Sequence, residues 1–225
     1  VDFAVKNGFL DAKKVDRKNF SPADVYNPSH ELYAIRREWR VLSLIAPSQT
    51  FDPNAMELPM SVVPDKKVSV QDIFAITGDW YEGTPYDLSK GPAAGPWGNP
   101  IRFANSSKTK PDSTWERSIN MMRTCYVHIA QVRGDLPEEI RGISWFGYGA
   151  SDTTYITPLW PIMRKLPDFY NTGDRFHPYD SKSGWWVNTR VQEIAGLHYQ
   201  DARKDIHAAR DEKLQPLYVL TPMVQ

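Results

Sequence analysis

Cysteine is nearly absent. One residue in 225, Cys125, excludes an internal disulfide framework and a cysteine-rich zinc site. Histidine is scarce as well: His30, His128, His177, His198 and His207 form no HExxH and no pair at metal spacing with a carboxylate. The chain carries no net charge, with 27 basic residues offsetting 27 acidic ones. That balance supplies no field to attract nucleic acid or an anionic membrane, so neither is expected as a partner. No apolar run reaches the roughly 20 residues needed to cross a bilayer. GxSxG is missing, which removes the strand-to-helix serine elbow of α/β-hydrolases. In "GPAAGPWGNP" the neighbouring lysine, Lys90, precedes the glycines, whereas a phosphate-binding Walker loop needs it after them. Internal repeats, a start methionine and a signal peptide are also lacking. The opening "VDFAVKNGF" reads as the last turns of a helix, so the chain is expected to be a fragment or a processed product.

Aromatic residues, by contrast, are plentiful, with eight tryptophans and eleven tyrosines. Both types join an apolar body to a polar tip and belong where a core meets a cleft or a partner. The length suits one domain, 1–225. In "NPSHELYAIRREWRVLSLIAP", Asn27 can cap a helix and Pro28 can take its first position. Leu32, Ile35, Trp39, Leu42 and Ile45 follow at helical spacing, and Pro47 marks the end. The proline-rich run "FDPNAMELPMSVVPDKK" reads as an ordered surface crossing. A second helix starts at Ser69, where "SVQD" has capping-box form. Its apolar face is expected to include Phe74 and Tyr81, with Gly83 and Pro85 as the stop.

Strand-like runs come next. "RTCYVHIAQVR", "GISWFGYG" and "TTYITPLWP" are rich in β-branched and aromatic types, and their short connections favour an antiparallel sheet. From about Trp186 to Leu214 the pattern reads as one long helix with Val191, Ile194, Leu197, Ile206 and Ala209 on its apolar stripe. Helices, then strands, then a helix give an α+β fold class.

Complete catalytic sets are missing from this inventory. Alternation along the first strand puts Cys125 on the face of Val127 and Ile129, which is a core position. A stand-alone thiol enzyme using Cys125 would need it to be labelled by an alkylating reagent in the folded state; the core placement predicts protection instead. The acidic pairs Glu138/Glu139 and Asp79/Glu82 are expected to be solvated. Arg117, in "WERSINMMR", lies where a loop enters the strand region; taken alone it reads as a surface salt-bridge residue. The glycines Gly91, Gly95 and Gly98, stiffened by Pro92, Pro96 and Pro100, form a rigid aromatic-bearing loop.

The block "YEGTPYDLSKG", Tyr81 to Gly91, followed by the Gly-Pro-Trp-Gly segment Gly95 to Gly98, resembles the cysteine-type dipeptidases related to dipeptidase A and, more distantly, the secernins. Further likeness runs in order through "YAIRREWRVLSLIAPS", "LPMSVVPDKKVSVQDI", "ERSINMMRTCYVHIAQVRGDLPEEIRGISWFGYG", "TTYITPLW" and "WWVNTRVQEIAGLHY". The resemblance implies an αββα sandwich of N-terminal-nucleophile hydrolase type, with antiparallel sheets flanked by helices. It implies a peptidase that hydrolyses dipeptides, without a cofactor, through an N-terminal cysteine whose own amine serves as base. This sequence departs from the family at that point, because Val1 has no nucleophilic side chain and an internal Cys125 has no free amine beside it. The chain is therefore expected to be the C-terminal half of such an enzyme, with the remaining N-terminal portion of the same protein and a short peptide substrate as its partners. A homo-oligomer is a further expectation, and a non-catalytic scaffold that keeps the fold is the alternative. By the same resemblance Arg117 is the candidate catalytic residue, holding a thiolate or a substrate carboxylate, against a plain packing role. Asp87 and Asn99 are candidates for substrate binding, or else fix their own turns through Asx hydrogen bonds.

Overall fold

The computed structural model describes residues 1–26, 31–101, 116–174 and 176–223. Two short helices, α1 (Asp2–Lys6) and α2 (Pro22–Tyr26), precede α3 (Leu32–Ile45) and α4 (Val70–Thr77). Three strands follow, β1 (Tyr126–Val132), β2 (Gly142–Tyr148) and β3 (Thr157–Leu159), with α5 (Glu138–Arg141) between the first two. Helices α6 (Gly184–Ala195) and α7 (Tyr199–Leu220) close the order. The expected cap Asn27, with Pro28 and His30, lies outside the described residues; α3 is described from Leu32, after an extended Glu31.

The strands form one antiparallel sheet in the order β1-β2-β3. Opposite pairs are Val127 with Gly147, Ile129 with Trp145 and Gln131 with Ile143 on one face. Tyr126 with Tyr148, His128 with Phe146 and Ala130 with Ser144 occupy the other. Because the side-chain period is two, this register sends every large aliphatic of β1 except Val132 to the first face. There Val127, Ile129, Ile143 and Trp145 are buried with Phe74 of α4 and Leu214 of α7. Removing side chains of this size from water contributes about 1.5–3 kcal/mol each. The result is a helical layer on one face of a mixed helix and antiparallel sheet fold.

Gly147 is needed at its place for a steric reason. A Cβ there would lie 1.9 Å from the carbonyl oxygen of Tyr155, inside any contact distance. β3 is shorter than the expected run, because Ser151–Thr153 forms a 3-10 turn that is buried on the helical side. Pro158 is tolerated opposite Trp145, since β3 is an edge strand.

Two helical expectations are corrected. α4 ends at Thr77 with Gly78 as its C-cap, so Tyr81 and Gly83 lie beyond it in a turn. The Asp79 carboxylate draws in the Tyr81 N–H at 2.8 Å and stops the helix early. The capping box is as expected: Ser69 Oγ accepts from the Asp72 N–H, and the Asp72 carboxylate accepts from the Ser69 N–H. The tail is two helices, broken at Gly196–His198. Its inward residues are Asn188, Gln192 and Ala195, then Tyr199 and Leu214, while Val191, Ile194 and Leu197 of the expected stripe are exposed. Gln192 faces inward because its carboxamide accepts from the Ala150 N–H at 3.3 Å and donates to the Met122 carbonyl. The break itself is stapled from outside: Asn99 Nδ2 donates to the Gly196 carbonyl at 2.8 Å.

Candidate functional site

Asp79, Trp80 and the block Tyr81 to Gly91 fold into a turn over a second core of Trp80, Tyr81, Leu88 and Tyr199, with Trp39, Tyr86 and Ile101 packed against it. Arg40 of α3 grips Asp79 through two parallel bonds, Nε to Oδ1 at 2.9 Å and Nη2 to Oδ2 at 2.7 Å. Both side chains are nearly buried, the planar fork matches the carboxylate, and Arg40 Nη2 also donates to the Glu82 carbonyl at 2.9 Å. Asp79 was expected to be solvated with Glu82. It is instead buried, and Glu82 is half-buried, accepting from the Trp80 N–H at 2.9 Å and from Arg203 at 2.7 Å. Partners from α3 and α7, distant in sequence, withdraw both from water.

Tyr81 is fully buried and holds φ at +68°, a left-handed conformation costly for a side chain of this size. Burial, and then the nearby Glu116, push its phenol pKa upward, so it stays a neutral donor. It donates to the carbonyl of Arg117 at 2.9 Å. The Arg117 N–H bonds the Tyr33 carbonyl at 3.2 Å, and its guanidinium lies over the Tyr33 ring, 5.1 Å from the centroid. The Asn120 N–H donates to the Asp79 carbonyl at 3.2 Å. The 116–120 segment is thereby pinned to α3 at one end and to the 79–81 turn at the other.

A second polar centre ties the block to α7. Asp152, 2% exposed, accepts from Trp80 Nε1 at 2.8 Å, from the Tyr199 hydroxyl and from Arg203 Nε at 3.0 Å, and His207 Nε2 lies 3.0 Å from the same carboxylate. Burial would raise its pKa, but the His207 contact, the Arg203 charge and the Tyr199 and Trp80 donors outweigh that, leaving it lowered to about 2. Arg203 extends the centre to Glu82. With every carboxylate lone-pair direction occupied, Asp152 serves as a bolt between layers.

Of the three sequence candidates, Arg117 reaches the Tyr81 junction. Asp87 fixes its own turn: it accepts from the Gly83 N–H at 3.3 Å, the Ser89 N–H at 2.9 Å and Ser89 Oγ at 2.6 Å. Asn99 accepts from the Ile101 N–H at 2.8 Å while its amide staples the α6–α7 break. No hydrogen bond or ion pair among the described residues joins either of them to Arg117. Beside the loop, a cleft of about 510 Å³ is bordered by Lys90, Gly91, Trp97 and Gln200. Gly98, at φ +56°, lets the backbone pass Gln200, whose Nε2 donates to its carbonyl at 2.7 Å. Trp97 stacks on His198.

Cys125 is exposed, not core, because β1 begins one residue after it and the alternation does not reach back. Glu138 and Glu139 are exposed as expected. His207, as a partner of Asp152, fills a structural role. Sequence reasoning missed Arg40, Asp152 and Asn120, because each is joined to partners far away in the chain.

A family model described as peptidase family C69 matches residues 1–212. Probable dipeptidase A of Streptococcus pyogenes serotype M18 (strain MGAS8232) is 22% identical over 213 residues, covering 92% of this chain and 42% of the relative. Dipeptidase A of Lactobacillus helveticus is 23% identical over 209 residues, with 89% and 40% covered. Probable dipeptidase B of Lactococcus lactis subsp. lactis (strain IL1403) is 26% identical over 148 residues, with 66% and 28% covered. The chain thus spans less than half the length of each of these curated relatives.

Proposed function

The chain belongs to peptidase family C69, and from that premise we propose that it is the C-terminal part of a cysteine-type dipeptidase with an N-terminal nucleophile. The observation that carries the reading is the bond from Tyr81, first residue of the family-like block, to the Arg117 carbonyl. It ties the block to the backbone of the candidate residue at one buried, strained junction, with the Arg117 guanidinium over the Tyr33 ring. In this reading residues 1–225 act as one domain that supplies a cleft wall. The attacking thiol and its α-amine belong to polypeptide outside these residues. The thiol adds to the scissile carbonyl of a dipeptide while the α-amine takes its proton; the α-ammonium gives that proton to the leaving amine as the C–N bond breaks, and water then hydrolyses the thioester, restoring the thiol. Arg117 is the cation of the site. Asp87 and Asn99 shape the loop that borders it, at the substrate's amino end or backbone.

The sheet supports the architecture that this chemistry needs. One face is covered by α4 and α7, and the other carries exposed Tyr126, His128, Ala130 and Val132. A second sheet on that face, with its own helices outside it, would complete the αββα sandwich.

The test compares the 225-residue chain with the longer polypeptide encoded around it on a small panel of dipeptides. Turnover is expected from the longer form alone, and alkylation of its N-terminal cysteine abolishes it. Activity in the short chain, or a longer form with no cysteine to expose, would overturn the proposal. Inactivity of both forms on every dipeptide would instead favour the scaffold reading.

A further inference from the structure

A strand at the edge of a sheet presents a row of unpaired backbone groups, and proteins guard such rows with charge, proline, bulges or a short length. The two edges here differ. β3 is three residues long and carries Pro158. β1 runs for seven residues, Tyr126–Val132, and contains no charged residue and no proline. The parity of its hydrogen bonds is fixed. At one end the Gly149 N–H donates to the Cys125 carbonyl at 2.9 Å, and at the other the Arg133 N–H donates to the Arg141 carbonyl at 3.0 Å. Both bonds lie in register with the β1–β2 ladder. Antiparallel pairs alternate between bonded and non-bonded, so Val127, Ile129 and Gln131 direct their backbone groups to β2. Those of Tyr126, His128, Ala130 and Val132 point out along the free edge, and these four residues are exposed.

We propose that this edge is a homodimer interface, and that its occupant is β1 of a second copy, laid antiparallel about a two-fold axis at Ile129. In that register Tyr126 stands opposite Val132 of the second copy, and His128 opposite Ala130 of the second copy. Every such pair joins residues whose backbone groups point outward, so the outward N–H and carbonyl groups satisfy one another. The contact is self-complementary, each pairing occurring twice. Side chains agree with it: Tyr126 and Val132 meet on the bare face, and Ile129 meets its own copy on the helix-covered face. Charge selects the partner. Arg123 lies three residues before the strand and Asp135 three after it, both exposed and neither in an ion pair among the described residues. The two-fold axis sets them at mirror positions, so each Arg123 comes to the end of the ladder where the second copy carries Asp135. Two three-stranded sheets become one of six strands. A strand of unrelated sequence would fill the hydrogen bonds without matching both charged ends. The interface rests on backbone parity and charge, independently of the dipeptidase reading.

Sedimentation and amide hydrogen exchange on the 225-residue chain, each at low and high protein concentration, test the interface. A monomer–dimer equilibrium is expected, with exchange at Tyr126, His128, Ala130 and Val132 slowed about tenfold or more at high concentration. Exchange at Val127, Ile129 and Gln131 should be slow at both concentrations. His128→Pro removes an outward donor and no bond to β2, which an edge strand tolerates, and should weaken the dimer about tenfold or more. Arg123→Asp should weaken it about tenfold by placing like charges at both ends of the ladder, and adding Asp135→Arg should restore it. That swap changes two exposed side chains, so it decides the question even if His128→Pro fails to fold. A chain that stays monomeric at every concentration overturns the interface, as does a rise in mass without slowed exchange at the four outward amides. A double variant no tighter than Arg123→Asp overturns the register. Slow exchange at the same four amides in a longer polypeptide that sediments as a monomer means that its own chain holds the edge, and overturns the second copy as occupant.

Discussion

Asp79, Tyr81 and Asp152 show how single side chains set this fold. Breaking a buried ion pair from one side leaves an uncompensated charge, so Asp79→Ala should cost on the order of 3–5 kcal/mol, read from urea unfolding. For Asp152 the sign follows from its depressed pKa of about 2. The unfolded carboxyl titrates near 3.9, so the folded state binds fewer protons between the two values. Its contribution, roughly 2 kcal/mol, is present above about pH 4 and is lost as pH falls toward 2. Asp152→Asn should flatten that part of the stability curve, and an unchanged acid limb would contradict the bolt. Cys125 supplies a third check at this scale: exposed, it should react with one equivalent of a thiol reagent in the folded chain. The residue identities alone did not announce any of this. Aspartates at helix ends are commonly solvated, and only the arrival of Arg40 or Arg203 from elsewhere in the chain makes them otherwise.

Among the elements, α4 was the most legible, because its start is written locally in Ser69 and Asp72. Ser69→Ala should remove about 1 kcal/mol. Its end was not legible, since Gly83 and Pro85 give a local stop signal stronger than Gly78, and a buried carboxylate overrides them. The α6–α7 break depends on a contact ninety-seven residues away, between Asn99 and Gly196. Asn99→Ala should cost about 1–3 kcal/mol by leaving that carbonyl short of a donor, and the helical signal should show the tail loosening first on heating. Strand alternation predicted β1 and β2 and the inward set Val127 and Ile129 well. It failed at Cys125, one residue before the ladder starts, where period two no longer binds the chain.

For the whole molecule the decisive feature is asymmetry of the sheet. The helix-covered face is buried, while Tyr126 is 58% and Val132 74% exposed on the other. Tyr126 stacks on Phe146, and Phe146 meets Tyr148 and Tyr170 edge-on, so beside the part that Tyr170 covers this face offers an aromatic surface suited to packing. Kept alone in solution, the chain is expected to self-associate through this face. Sedimentation should show mass rising with concentration, and Val132→Lys with Tyr126→Lys should return it to monomer. A wild-type chain that sediments as one compact monomer at all concentrations would remove the case for a missing layer.

The sequence by itself determined the α+β class, the helix start at Ser69, the two long strands and, through the Tyr81 to Gly91 block, the family. Those are local or contiguous signals: a cap, a period, a run of residue types. Tertiary structure alone decided which polar groups are buried, where the tail breaks, and which side chains close on Asp152. Each of those depends on side chains that are tens of residues apart in the chain and become neighbours only when the core closes, so no window of sequence contains both partners.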